Sequence, residues 1–77
     1  MKRLPFKKTK SALIFARNVR AQRKVLGLSQ EKLGEKTKLH WTFIGRVERA
    51  ETSVTLRTIV TLAKGLECKA AELLKGV

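Results

Sequence analysis

Apolar side chains return every three or four residues along most of this chain, and the repeats are interrupted at glycines and at hydroxyl-bearing residues. From Ser11 to Leu26 they fall at Leu13, Phe15, Ala16, Val19 and Leu26 with Arg and Lys between them, the period of an amphipathic helix. Gly27 supplies the left-handed position that closes it. Ser29 is placed to cap a second helix over Gln30 to Thr37, with Glu31 in its first turn and Lys36 and Lys38 near its end, as the helix dipole favours. Leu33 is the main apolar anchor of that helix. Gly34 beside it costs about 0.8–1.0 kcal/mol relative to Ala in a helix interior, which predicts close approach by another backbone.

The third stretch starts at His40 or Trp41 and runs to Arg49. Phe43, Ile44 and Val47 share one face; at about 100° per residue, Thr42, Gly45, Arg46 and Arg49 cluster on the other, with Trp41 at the border. After the loop AETSV, Thr55 caps a fourth helix that extends through Lys64 with Leu56, Ile59, Val60, Leu62 and Ala63, and Gly65 ends or bends it. A fifth helix is expected from Cys68 to Lys75, with Ala70, Leu73 and Leu74 apolar. The expected fold class is therefore all-α: a compact five-helix bundle with no strands and no repeat.

Length and charge narrow the classes of function. A chain of 77 residues makes one small domain, divided here into a basic arm over residues 1–10, broken by Pro5, and a helical domain over 11–77. Its formal charge is +12, from 18 Lys and Arg against 6 acids, and no acid precedes Glu31. Half of MKRLPFKKTK is cationic, and Arg17, Arg20, Arg23 and Lys24 follow, so a positive field attracts phosphate to one end of the molecule. The arm either lies along a DNA backbone, enters a neighbouring minor groove, or is a solvated tail.

One Cys and one His make neither an internal disulfide nor a zinc site, so no metal or cofactor is expected and the chain suits a reducing cytoplasm. The apolar run from Ala12 to Ala16 is too short for a signal peptide, and no stretch approaches a membrane span. No His, Cys or carboxylate constellation suggests an enzyme.

The segment GLSQEKLGEKTKLHWTFIGRVERA reads as two short helices around a tight turn, the layout of a helix-turn-helix that pushes its second helix into the DNA major groove. With RNVRAQRK before it and LAKGLECKAAELL after it, the chain resembles the lambda-repressor-like helix-turn-helix family, the Cro and CI (XRE) type of regulator, over roughly Phe15 to Leu74. The phrase LHWTFIGRVERAETSVTL is also similar to the small controller proteins of restriction-modification systems.

The resemblance assigns base reading to Trp41, Thr42 and Arg46, and contacts with the DNA backbone to Gln30 and His40. Arg46 suits guanine O6 and N7, Thr42 a thymine methyl or a phosphate. Trp41 has one donor and a large apolar face, fit to pack against thymine methyls or to cap the second helix. Arg49 suits a phosphate. The same resemblance sets Arg23 opposite Glu48 as an ion pair joining the first helix to the end of the recognition helix. It also marks departures: Lys38 and Ala50 stand where Gly is common, so non-Gly residues must adopt φ > 0 there, and Gly45 takes a side chain away from the DNA-facing flank.

The expected partner is double-stranded DNA, bound in the cytoplasm at the nucleoid by a homodimer on a near-palindromic operator. Leu66, Ala70, Leu73 and Leu74 are expected either to form the dimer contact or to belong to the core. An antitoxin-type protein that also grips a toxin, or a nonspecific RNA or ribosome binder, are the other readings.

Overall fold

The computed structural model describes residues 8–77 of the chain, and five helices follow one another through it: α1 Lys10–Val25, α2 Gln30–Thr37, α3 Trp41–Glu48, α4 Leu56–Gly65 and α5 Ala70–Leu73. Residues 1–7, most of the expected basic arm, lie outside the described residues. Among the described residues there is no strand, so the all-α expectation holds.

Local chemistry sets where four of the helices begin. The Thr9 hydroxyl accepts from the Ala12 N–H, Ser29 from Lys32, the His40 ring from Thr42, and Thr55 from Thr58. Each cap satisfies a donor that the first turn would otherwise leave open. α5 has no such cap and is one turn long, shorter than the expected 68–75. The Asn18 amide of α1 donates to the carbonyls of Leu73 and Lys75, both at 2.9 Å, and holds that end of the chain onto α1. Gln22 does the same for the Leu66 carbonyl at the end of α4, at 3.0 Å.

Phe15, Val19, Leu33, Ile44, Val47, Leu62, Ala63, Leu66 and Leu73 form one core that draws on all five helices. Each fully buried aliphatic side chain stabilises by about 1.5–3 kcal/mol. Two of the four expected dimer residues belong here: Leu66 is 0% exposed and Leu73 1%. That expectation is corrected, because a core this small uses both leucines to close the monomer. Ala70 packs half-buried against the same cluster, and only Leu74 keeps an exposed side chain.

The turn between α2 and α3 is tightly specified. Lys38 sits in the left-handed region at φ 63°, Thr37 Oγ1 donates to the Leu33 carbonyl at 2.7 Å, and the Leu39 N–H donates back to Thr37 Oγ1 at 3.3 Å. A Cβ on Gly34 would lie 2.7 Å from the Leu39 carbonyl oxygen, so the close backbone approach read from the sequence is present. Because that obstacle is backbone, Gly34→Ala should destabilise the domain by about 1–3 kcal/mol despite alanine's better helix propensity. Thermal melting checks this; a raised Tm would show that the turn has room to spare. Gly65 plays a similar part at the end of α4, where a Cβ would collide with the Thr37 methyl.

Candidate nucleic-acid interface

α3 is held from within by Ile44, 0% exposed, and Val47, 2% exposed, while Phe43 packs half-buried against the core. This fixes the rotation of the helix and sends Trp41, Thr42 and Arg46 to solvent. Arg46 has no ion-pair or hydrogen-bond partner among the described residues, so its guanidinium fork is available to a ligand. Trp41 is 49% exposed, with its ring stacked on His40 at a centroid distance of 5.9 Å, and is therefore no buried lid over α2.

His40 organises the start of the helix. Its Nδ1 accepts the Thr42 N–H at 3.2 Å and lies 2.6 Å from the Thr42 hydroxyl. An accepting Nδ1 places the ring proton on Nε2, which leaves a donor on the exposed imidazole.

Arg23 and Glu48 form a two-pronged pair, Nε to Oε2 at 2.7 Å and Nη2 to Oε1 at 2.9 Å, with side chains 12% and 3% exposed. Arg23 Nη1 also donates to the Leu28 carbonyl at 2.8 Å, and Gln30 Nε2 donates to Glu48 Oε1 at 3.2 Å. One carboxylate thus ties α1, the α1–α2 loop and the first residue of α2 to the end of α3. The hydrogen bond to Glu48 pushes the Arg23 guanidinium above its ordinary pKa, against an opposing effect of burial.

Gly45 differs from the sequence expectation. It is buried, and the space its side chain would fill is taken by Arg49 Nη1, 2.9 Å from the Cβ position, and Gln30 Oε1, 3.4 Å from it. The glycine is a notch under which two neighbouring side chains close over α3, so the flank is covered from α2 and from the helix end. Arg49 is held there by Glu51, whose Oε1 accepts from its Nε at 2.9 Å. Glu51 escaped sequence reasoning because it lies beyond the helix, where no helical spacing signals a partner.

Residues without a part in this face are quiet. Cys68 is half-buried, and burial, reinforced by Glu72, raises its thiol above the ordinary range. Among the described residues no group of three His, Cys, Asp or Glu side chains is placed to hold a metal ion, and no helix is long and apolar enough to cross a membrane.

A family profile described as Helix-turn-helix matches residues 19–73, most of the chain. The chain belongs to the helix-turn-helix family. Within it, control protein C.SmaI of Serratia marcescens is 51% identical over 61 residues, which span 79% of this chain and 73% of that one. The restriction-modification controller protein C.AhdI from Aeromonas hydrophila superposes with a TM-score of 0.82 at 34% identity, covering 84% of this chain and 98% of its own. A third helix-turn-helix protein, controller C.Esp1396I, has been solved as a tetramer with its natural 35 base-pair operator. It superposes with a TM-score of 0.81 over 87% of this chain and 88% of its own, and at 24% identity it speaks for the fold alone.

Proposed function

We propose that this helix-turn-helix protein is a sequence-specific transcription regulator that binds a near-palindromic duplex operator as a homodimer, with α3 in the major groove. The observation that carries the reading is the fixed rotation of α3: Ile44 and Val47 are locked inward, which leaves Trp41, Thr42 and Arg46 together on the open side. In this arrangement Arg46 reads guanine, Thr42 meets a thymine methyl, and Trp41 packs on methyl or sugar surface. Gln30, His40 and Arg49 contact the backbone and set the register from which bases are read. The likeness to C.SmaI and C.AhdI supports a controller role.

A second copy has apolar surface to cover. Leu56, 73% exposed, and Val60, 38% exposed, stand one turn apart on α4, away from the closed core. Two copies of α3 would then lie about 34–36 Å apart, one turn of DNA. Selection of bound duplexes from random oligonucleotides tests the whole reading. Two inverted half-sites at one-turn spacing are expected; a pool without enrichment would overturn it.

A further inference from the structure

An open groove of about 350 Å³ runs between α1 and the end of α3, lined by Leu13, Ala16 and Ala21 as well as by four cationic side chains. Arg17, Arg20 and Lys24 line it from α1, three and four residues apart and all exposed, and Arg49 closes the end nearest α3. Its one acid, Glu48, is 3% exposed and already neutralised by Arg23. None of Arg17, Arg20 and Lys24 has an ion-pair partner among the described residues, whereas Lys32, Lys36, Arg23 and Arg49 each have one. α1 offers no carboxylate of its own. Like charges at such spacing repel along a helix, so the row persists at a cost that only an external anion relieves.

We infer that this groove is a second DNA-backbone site, in which Arg17, Arg20 and Lys24 hold consecutive phosphates of the strand that passes the end of α3. The inference rests on the DNA-binding reading above and extends its footprint from α3 to the flank of α1. Phosphodiester is the ligand chemistry, since the polar groups that line the groove are point charges and forked donors, and its one acid is already paired. An acidic protein segment would also satisfy the charge. Continuity with α3 through Arg49 favours the duplex, because a strand already gripped at Arg49 has only to continue to meet the row.

The experiment compares the full chain with an Arg17→Gln, Arg20→Gln, Lys24→Gln variant on a random-sequence duplex and on the selected operator, over a range of salt. Each lost phosphate contact lowers the slope of log K against log salt by about 0.9, so the variant's slope should fall by roughly 2–3 per protomer. Sequence preference should stay as it is, Tm of the free protein should rise slightly as the repulsion is removed, and Arg17→Lys with Arg20→Lys should keep the slope. An unchanged slope, with or without weaker binding, overturns the inference. Because the slope is readable on any duplex, a chain that selects no operator would sink the operator reading while leaving this measurement intact.

Discussion

Replacing Glu48 by alanine should lower the stability of the free protein by about 3 kcal/mol, on the order of 12–24 °C in Tm for a domain of this size. The magnitude follows from what is left behind. Arg23 is 12% exposed and would keep its charge, retaining only the Leu28 carbonyl and losing both carboxylate bonds. Gln30 would lose its hold on Glu48 at the same time, which loosens the side chain beside the Gly45 notch. Removing both charges, with Arg23→Met and Glu48→Leu, should cost less than either single change, because a stranded buried ion is worse than an absent pair. Thermal melts of Glu48→Ala, the two single changes and the double variant check the sign; equal Tm for Glu48→Ala and the parent would remove the pair from the stability of this fold.

Arg46→Ala should leave Tm within error and weaken binding to the selected operator by about tenfold to a hundredfold per half-site, the range a two-pronged contact with guanine supplies. Stability is spared because this side chain is exposed and has no partner among the described residues to strand. The loss should be confined to one base position. A uniform loss over all duplexes would recast Arg46 as a phosphate contact. The two variants therefore separate the residue that holds the frame, Glu48, from the proposed base reader, Arg46.

Much of this architecture was legible because it is local. Hydroxyl caps at Ser29 and Thr55, the period of α1 and the demand for a close backbone approach at Gly34 all follow from residues within a few positions of one another. The inward triplet of Phe43, Ile44 and Val47 gave the rotation of α3, and with it the outward set. Lys38 and Ala50 stand at φ 63° and 56°, the conformation that the resemblance demanded of them.

What was misread depends on contacts distant in sequence. α5 lacks a side-chain cap and is anchored by Asn18, 55 residues before Leu73, through a hydrogen bond that no periodicity encodes. Leu66 and Leu73 looked spare because the core's true volume is visible only once five helices meet. Gly45 looked like an empty place on an open flank; only the folded chain brings Gln30 and Arg49 over it.

The tether from Asn18 to the carbonyls of Leu73 and Lys75 has a consequence for how much of the chain's end can be lost. Leu73, 1% exposed, plugs the far end of the same interior that Phe15 and Val19 line from α1. A polypeptide that stops short of that leucine leaves the interior open at one end and Asn18 without either carbonyl, so trimming the last few residues should weaken the grip on α1 as well as remove α5.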